Sequence, residues 1–452
     1  MIAPPLARLM ADGRPPGMAV AARAGTVIAF ERFRDAAAGL LPRLAGCRRA
    51  ALMCRDTHAF AVGFFALLHA GAEIVLPPNA QPGTRAAFAE GCDHLLDDAL
   101  LDVPGVAGAG FDPIDAEAAR VTFFTSGSTG APKSVTKTLG MLDREVAAFD
   151  QLWGGQLGPV LSTVSHQHLY GLTFRLLWPL RAGRVFAAET HEVWETVLPS
   201  LTRDATLISS PSHLSRMTGI GPVPAQRRPG LVFSAGAPLA AAAAAEARAI
   251  LGCPVTEIFG STETGAMAAR QQRRGDEPWT PLPGNEIRLD AAGLVSVRSP
   301  YLTGWTATAD LATETPDGFH FHGRADQVVK IEGQRISLPE IETALARLDW
   351  VRDAAVAALS GPSGISRGAH APAKQSVGTI LGAAVVLTSS GEAERLARGP
   401  YRLGRELRRA LATTLEPAAL PRRWRFVPAI PRRAMGKRDD SSLRALFGIE
   451  PC

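Results

Sequence analysis

The sequence predicts an α/β fold, because strand-like and helix-like stretches alternate along its first part. Residues 26–30, 49–54 and 73–78 are short runs of strand type, whereas residues 31–44 and 58–69 have helical spacing of apolar side chains. Such alternation is typical of mostly parallel sheets that are covered by helices. A chain of 452 residues, 46% of them hydrophobic, exceeds one core of ordinary size, so two or more domains are expected.

Composition narrows the classes of function. The 48 basic residues against 43 acidic ones give a net charge of +5, and the arginines are scattered. This balance suits an anionic ligand such as a nucleotide and does not indicate a nucleic-acid-binding protein. The five cysteines form no CxxC pair, which favours reduced thiols and argues against a metal–cysteine site. No signal peptide or membrane span is expected, so a soluble, cytoplasmic protein is predicted.

Residues 121–137, with the sequence VTFFTSGSTGAPKSVTK, carry the strongest chemical signal. A strand over 121–124 leads into residues 125–130, the Ser/Gly loop, whose hydroxyls can donate to phosphate oxygens and whose glycines let an anion approach the backbone. Lys133 adds a positive charge. A P-loop is excluded, because that pattern needs glycine directly before the lysine and Pro132 stands there. By itself the loop is equally typical of a flexible turn, and both interpretations remain open at this point.

Other predicted strands also end in polar or small residues. Residues 255–259 lead into GSTETG, which offers hydroxyl groups and the carboxylate of Glu263. Residues 231–234 lead into AGAPL, a turn of small residues. His166 and His168 follow a strand at 160–164, and histidines in such places are more often structural hydrogen bonders than functional groups.

These stretches together resemble the adenylate-forming superfamily: acyl- and aryl-CoA synthetases, peptide-synthetase adenylation domains and luciferases. TSGSTGAPK at 125–133 resembles the signature loop of that family, and further motifs follow in the family's order from about Ile28 to Lys437. Nearly the whole chain is therefore covered by the resemblance. Two departures are that Ala309 replaces the usual glycine before Asp310 and that the segment preceding the loop is short.

The resemblance implies two domains and a two-step reaction. An N-terminal adenylation domain over 1–325 is expected to bind ATP and a carboxylic acid, and a small α+β lid over 326–452 is expected to swing about Asp326. The acid would be converted to acyl-AMP with release of pyrophosphate. A thiol, either of CoA or of phosphopantetheine on an acyl carrier protein, would then accept the acyl group. ATP and Mg²⁺ are the implied cofactors.

The same resemblance assigns individual roles. Thr262 and Glu263 are expected at the α-phosphate and the Mg²⁺, and Lys437 at the α-phosphate and the carboxylate. The nucleotide-binding set is Thr125, Ser126, Gly127, Ser128, Thr129, Gly130, Lys133, Gly236, Ala237, Asp310, Arg324 and Lys330. The acid pocket is expected to be lined by His168, Ala235, Phe259, Gly260, Ala266 and Met267. This lining contains no carboxylate for a substrate amine, so an aryl or medium-chain acid is expected.

Three alternatives compete with this hypothesis. An adenylate-binding regulatory protein without chemistry could have lost Glu263 or Lys437, but both are present. A P-loop ATPase or kinase is contradicted by Pro132. An adenylation domain for amino acids is disfavoured only by the pocket lining. No nucleic acid or membrane partner is expected.

The C-terminal part of the chain is predicted to be a mixture of strands and helices. Residues 286–298 show a β-hairpin pattern, and residues 392–413 are largely helical. Residues 361–376 are rich in Gly, Ser, Pro and Ala and predict a mobile loop.

Overall fold

The computed structural model describes residues 4–126, 132–273, 275, 277–331, 334–362, 377–432 and 438–448. The chain forms two compact units. The first consists of Met1–Ile287 with Val297–Thr306, and the second of Arg288–Ser296 with Ala307–Cys452. The α/β fold class predicted from the sequence is confirmed. The rigid-body boundary expected at 325/326 remains a prediction.

Two sheets form the framework of the first unit. Their strands are β1 Ala19–Arg23, β2 Thr26–Ala29, β3 Arg49–Leu52, β4 Glu73–Leu76, β5 His94–Leu96, β6 Arg120–Ser126, β7 Pro132–Thr138, β8 Val160–Ser162, β9 Phe186–Ala187, β10 Thr206–Ser209, β11 Leu231–Ser234, β12 Val255–Ser261, β13 Gly265–Gln271 and β14 Thr280–Pro281. One sheet has nine strands in the order β14-β13-β12-β11-β10-β8-β9-β1-β2, and the other has five in the order β5-β3-β4-β6-β7. Most neighbouring strands are parallel, and the antiparallel pairs lie towards the edges.

Helices of the first unit connect these strands. They are α1 Leu9–Asp12, α2 Phe30–Leu40, α3 Thr57–His69, α4 Pro82–Ala89, α5 Leu139–Trp153, α6 Leu169–Gly171, α7 Trp178–Ala182, α8 Trp194–Ser200, α9 Pro211–Leu214 and α10 Ala241–Leu251. α3 is central, since all of its residues except His69 are buried. It begins where the Asp56 side chain accepts a hydrogen bond from the Ala59 amide at 2.8 Å, a standard helix cap.

The second unit combines small sheets with helices. Its strands, together with a hairpin that begins in the first unit, are β15 Glu286–Leu289, β16 Leu294–Arg298, β17 Thr306–Thr315, β18 Gly318–Arg324, β19 Val328–Ile331, β20 Gln334–Ser337, β21 Val351–Pro362, β22 Val377–Leu387 and β23 Arg423–Phe426. The sheets are β15-β16-β17-β18, β19-β20 and β21-β22-β23. The helices are α11 Leu338–Ala346, α12 Ser389–Arg398, α13 Pro400–Leu411 and α14 Asp440–Ala445.

The second unit agrees with some sequence predictions and corrects another. The β15-β16 hairpin is confirmed, and the helical stretch at 392–413 divides into α12 and α13 at Gly399. The mobile loop predicted at 361–376 is wrong at its start, because Gly361 and Pro362 continue β21 in register with β22. Residues 363–376 lie outside the described residues.

A helix that crosses a membrane has to be long and apolar. Within the described ranges, none of the helices combines the length and apolar character needed to cross a bilayer.

Candidate functional site

The strands on either side of the Ser/Gly loop, which is predicted to bind phosphates, form an antiparallel pair. β6 and β7 are antiparallel, with Thr125 opposite Lys133 and Ser126 opposite Pro132. Lys133 therefore stands at the beginning of the outgoing strand, directly beside the incoming one. Four predicted phosphate-binding residues lie outside the described part of the chain: Gly127, Ser128, Thr129 and Gly130.

Residues 261–265, the Glu263 turn, join β12 to β13 and carry Thr262 and Glu263. The turn is held tightly, because the Ser261 amide donates to Thr264 Oγ1 at 3.0 Å and the Thr264 amide donates to Ser261 Oγ at 3.2 Å. Thr262 and Glu263 are both partly exposed at its tip. The turn therefore presents a hydroxyl and a carboxylate on a fixed backbone.

Two glycines allow this turn to be so narrow. A Cβ atom on Gly260 would lie 2.1 Å from the carbonyl oxygen of Gly265, so only glycine fits there. Gly265 has φ of +72°, a left-handed conformation that favours glycine. The glycines of GSTETG thus serve the shape of the turn.

Below the turn lie two buried ionisable side chains, Lys137 of β7 and Glu145 of α5, each 2% exposed. Lys137 Nζ donates to the carbonyl oxygen of Glu263 at 3.3 Å, and Glu145 Oε1 accepts from the Ala266 amide at 2.9 Å. Burial lowers the pKa of Lys137 and raises the pKa of Glu145, while the attraction between the opposite charges acts against both shifts. The two side chains therefore connect the hairpin of the Ser/Gly loop to the Glu263 turn.

The main chain directly after the Glu263 turn is also fixed by hydrogen bonds. Asn285 Nδ2 donates to the carbonyl oxygens of Ala266 at 3.0 Å and Met267 at 2.8 Å, and the buried Tyr301 hydroxyl donates to the Ala266 carbonyl. Burial raises the pKa of Tyr301, which keeps the hydroxyl protonated and able to donate. Ala266 and Met267, two predicted pocket residues, are therefore held by their backbones.

The remaining predicted pocket residues lie on neighbouring elements. Ala235 follows β11, whose Ser234 is in register with Glu257 of β12, and Phe259 lies further along β12. The Phe259 ring contacts the Trp279 ring with centroids 5.2 Å apart. His168 directly precedes α6, which packs against β13. The structure thus brings these candidates to one end of the nine-stranded sheet, and their contact with a substrate stays a prediction.

The two competing histidines differ in environment. His166 is 1% exposed; its Nδ1 contacts Thr57 Oγ1 at 3.1 Å and its Nε2 contacts the Cys54 carbonyl oxygen at 2.9 Å. Burial, with the nearby Arg175 charge, lowers the pKa of His166 to about 3. His168 is only partly buried. His166 is therefore a neutral core residue, and His168 remains the candidate for the pocket wall.

A buried carboxylate, Glu257, lies two residues before Phe259 on β12. Its oxygens accept from Arg270 Nε at 2.9 Å, from Gln272 Nε2 at 2.6 Å and from the Leu239 amide at 3.1 Å. These contacts tie the segment after β11 to β13. Glu257 is therefore fully engaged by protein groups and is not available to a substrate amine.

Asp310 and Arg324, the residues predicted to hold the nucleoside, face each other across β17 and β18 of the second unit. Arg324 Nη1 lies 3.6 Å from Asp310 Oδ1, and Asp310 is 8% exposed. The Asp310 amide donates to Thr308 Oγ1 at 3.1 Å. The substitution of alanine at 309 therefore leaves the aspartate on a regular strand.

The second unit contains three further residues with predicted roles. Two of them lie in described secondary structure, and one lies outside the described residues. Asp326 falls in a single 3₁₀ turn, Ala325–Gln327, and Lys330 falls in β19. Lys437 lies outside the described residues, but Arg432 and Arg438 on either side of it form a β-bridge.

Both ends of that bridge are anchored by ion pairs. Arg432 contacts Asp353 of β21 at 2.8 Å, and Arg438 contacts Glu342 of α11 at 2.6 Å. The two bridge residues are therefore tied to β21 and α11 of the second unit.

Mg²⁺ is implied by the resemblance, and the described residues fit the way this ion is held beside nucleotides. They contain no cluster of three or more His, Cys, Asp or Glu side chains that could form an all-protein metal cage. Mg²⁺ usually takes one or two carboxylates and completes its shell with phosphates and water. Glu263, partly exposed at the tip of a rigid turn, supplies one such carboxylate.

Comparison with known proteins shows which family the chain resembles. Residues 107–299 match the AMP-binding enzyme family, and this range includes the Ser/Gly loop and the Glu263 turn. This part of the chain is therefore similar to AMP-binding enzymes. The resemblance to adenylate-forming enzymes inferred from the motifs is thereby confirmed.

Individual relatives agree with that similarity. The 4-coumarate–CoA ligase of Cereibacter sphaeroides is 28% identical over 332 residues, which cover 71% of this chain and 71% of that protein. The anthranilate–CoA ligase of Pseudomonas aeruginosa is 29% identical over 300 residues, 56% of each chain. ATP-bound MatB from Rhodopseudomonas palustris has the same fold, with a TM-score of 0.77 at 19% identity over 99% of both chains.

The sequence did not single out Lys137 and Glu145. A signal was nevertheless present, because Lys137 occupies an inward position of β7 between Val135 and Leu139, where an apolar residue is expected. Likewise Glu145 lies three residues after Leu142 and four before Phe149, on the apolar face of α5. Charged residues at two core positions are the pattern that could have drawn attention to them.

Proposed function

We propose that this protein activates an aryl carboxylic acid with ATP and transfers the acyl group to the thiol of CoA. In the first step a carboxylate oxygen forms a bond to the α-phosphorus, and the bond from that phosphorus to the bridging oxygen of the β-phosphate breaks, releasing pyrophosphate. In the second step the thiol sulfur bonds to the acyl carbon, AMP leaves with its oxygen, and the thiol proton is lost to solvent.

One observation carries this proposal. Lys137 links the hairpin of the Ser/Gly loop to the backbone of Glu263 at 3.3 Å, so the two segments expected to handle the phosphates adjoin in one unit. Transfer at phosphorus depends mainly on positioning and on neutralising charge, and a rigid arrangement of hydroxyls, a lysine and a carboxylate suits that task.

Each residue has a proposed role. Residues 125–133 bind the departing phosphates, Asp310 and Arg324 bind the nucleoside, and Lys437 neutralises charge at the α-phosphate. Mg²⁺, when bound at Glu263, would neutralise phosphate charge as pyrophosphate leaves. His168 and the small residues around β12 and β13 form the acid pocket. Residues 326–452 act as the lid, with Asp326 as the hinge.

An aryl acid is favoured for two reasons. Coumarate and anthranilate, the acids named for two relatives, are both aromatic. The pocket candidates other than His168 are small or apolar, and the nearby buried Glu257 is occupied by Arg270 and Gln272, so that carboxylate is not open to an α-amino group. A carrier-protein phosphopantetheine is the alternative acceptor, and an amino acid the alternative substrate.

Exchange of labelled pyrophosphate into ATP, run with benzoates, cinnamates, fatty acids and amino acids, tests the first step. We expect exchange that depends on an aryl acid, and a loss of ~10²- to 10³-fold in Lys437→Ala, because a preorganised charge contact is removed. Arg444→Ala is the matched control, since it removes one exposed positive charge from the following helix. Wild-type exchange in Lys437→Ala would contradict the assignment of that lysine, and faster exchange with amino acids would contradict the substrate class.

A further inference from the structure

The buried charges beneath the Glu263 turn are chemically unusual. Lysine and glutamate are almost never fully buried unless they are paired, because taking either charge out of water is costly. Lys137 and Glu145 are each 2% exposed; Glu145 lies on the apolar face of α5, and Lys137 lies on the same side of β7 as the half-buried Val135. A pair of apolar residues could fill the same space at lower cost.

The contacts of the two side chains indicate a specific purpose. Lys137 binds the main-chain oxygen of Glu263, and Glu145 binds the main-chain amide of Ala266 three residues later. Thr264 and Gly265 lie between these two points. The two side chains therefore fix the main chain immediately before and immediately after Thr264 and Gly265. Both hydrogen bonds go to the main chain of the turn, and the Lys137 ammonium in addition attracts the Glu263 carboxylate.

Lys137 also lies on β7, the strand that follows the Ser/Gly loop in the sequence. It follows Lys133 by four residues on the same strand, and it is in register with Val121 of β6. A strand advances ~3.3 Å per residue, so the two lysines are separated by about 13 Å of regular β structure. Lys137 therefore fixes the Glu263 turn relative to β7, the strand that carries Lys133.

We propose that Lys137 and Glu145 are positioning residues, which hold the Glu263 turn at a set place relative to strand β7 and so determine how tightly Mg²⁺-bound ATP is held. That the ligand is Mg²⁺-bound ATP rests on the proposed function. Groups that orient a metal-binding side chain from behind typically affect metal affinity by ~10- to 100-fold when they are replaced.

Three full-length variants separate the hydrogen bond from the charge. Lys137→Met keeps the length of the side chain but removes the donor to Glu263 and leaves Glu145 without its opposite charge. Glu145→Gln keeps an acceptor for the Ala266 amide and removes only the charge. The double variant removes both charges, so it is expected to recover thermal stability relative to either single variant while still lacking the donor.

A matched control is available in the same unit. Asp150 forms a partly buried ion pair with Arg181 at 2.7 Å and accepts from Trp178 Nε1 at 2.7 Å. Asp150→Asn breaks that ion pair, and neither Arg181 nor Trp178 belongs to the Ser/Gly loop or the Glu263 turn. The variant therefore reports what the loss of a buried charge does to the fold alone.

The measurement is the dissociation constant of ATP by titration calorimetry, once with excess Mg²⁺ and once with EDTA. We expect the gain in affinity produced by Mg²⁺ to fall ~10- to 100-fold in Lys137→Met and in the double variant, less in Glu145→Gln, and not at all in Asp150→Asn. An unchanged Mg²⁺ gain in Lys137→Met, or an equal loss in Asp150→Asn, would show that the pair serves only the core.

Backbone hydrogen exchange without nucleotide provides a readout that does not depend on the proposed function. Amides of residues 262–266 should exchange faster in Lys137→Met than in the wild type, and they should be unaffected in Asp150→Asn. If the wild type neither binds ATP nor exchanges pyrophosphate with any acid, the proposed function fails. Positioning by Lys137 is then judged by hydrogen exchange, and equal protection in all variants would overturn it.

Discussion

Gly265→Ala provides the most demanding test of how the Glu263 turn is built. Gly265 has φ of +72°, and a Cβ atom there would lie 3.0 Å from Tyr301 Cε2 and 3.1 Å from Glu145 Cδ. Both neighbours are buried and hydrogen-bonded, so neither can move away freely. The substitution therefore strains the backbone and crowds the core at the same time.

The two costs can be separated with Gly25→Ala. Gly25 has φ of +79° in the turn between β1 and β2, and a Cβ atom there would meet nothing within 4 Å. Alanine in the left-handed conformation costs ~1–2 kcal/mol at either position. Crowding at Gly265 adds about 1–3 kcal/mol, the usual range for an overpacked core. A difference of this size corresponds to roughly 2–12 °C in the unfolding temperature of a unit of this length.

Thermal unfolding followed by tryptophan fluorescence compares the two variants directly, and pyrophosphate exchange follows the turn itself. We expect Gly265→Ala to unfold at the lower temperature and, since small misplacements of reacting groups are costly, to lose on the order of 10²-fold in exchange rate below its unfolding temperature. Gly25→Ala should keep its activity. Equal unfolding temperatures and equal exchange rates would refute the idea that this turn is held rigidly from below.

Two further predictions concern the lid and the core. Asp326→Pro should spare pyrophosphate release in single turnover and impair thioester formation from preformed acyl-adenylate, because proline limits the change in φ that a hinge needs; equal loss of both steps would contradict it. Burial lowers the pKa of His166 to about 3, so the unfolded chain binds the additional proton between that value and about 6.5, and stability falls as the pH drops through this window. His166→Gln should make the loss between pH 6 and 4 shallower by up to ~1.4 kcal/mol per pH unit in urea titrations, and an unchanged slope would show that His166 is not the responsible group.

The sequence predicted several of the longer helices and several buried parallel strands, because their apolar spacing is set by the core they enter. α3 and the strands β3, β4 and β6 were all expected from such runs. Other strands were missed, and three of them show the physical reason. β7 carries five polar residues among seven, β13 is built mainly from small residues, and β21 is rich in alanine, which has no preference for strands. Pairing with neighbouring strands, which a single sequence does not display, overrides those weak local preferences.

The candidate site was predictable only as a set of motifs. GSTETG and AGAPL marked residues that are expected to carry chemistry, because the family resemblance assigns them to contacts with the nucleotide and the acid. The partners that hold them are far away in sequence: Glu263 and Lys137 are separated by 126 positions, and Ala266 and Glu145 by 121. Glu257 was also missed, because a carboxylate in a strand gives no hint that Arg270 and Gln272 will surround it. Tertiary contacts of this kind cannot be inferred from spacing.

The bridge between Arg432 and Arg438 has a mechanical consequence. Arg438 forms an ion pair with Glu342 of α11, and Arg432 forms one with Asp353 of β21. The bridge therefore joins α11 and β21, which already pack against each other, through a third part of the chain. Pulling α11 away from β21 would have to break these ion pairs as well as the apolar contacts between the two elements.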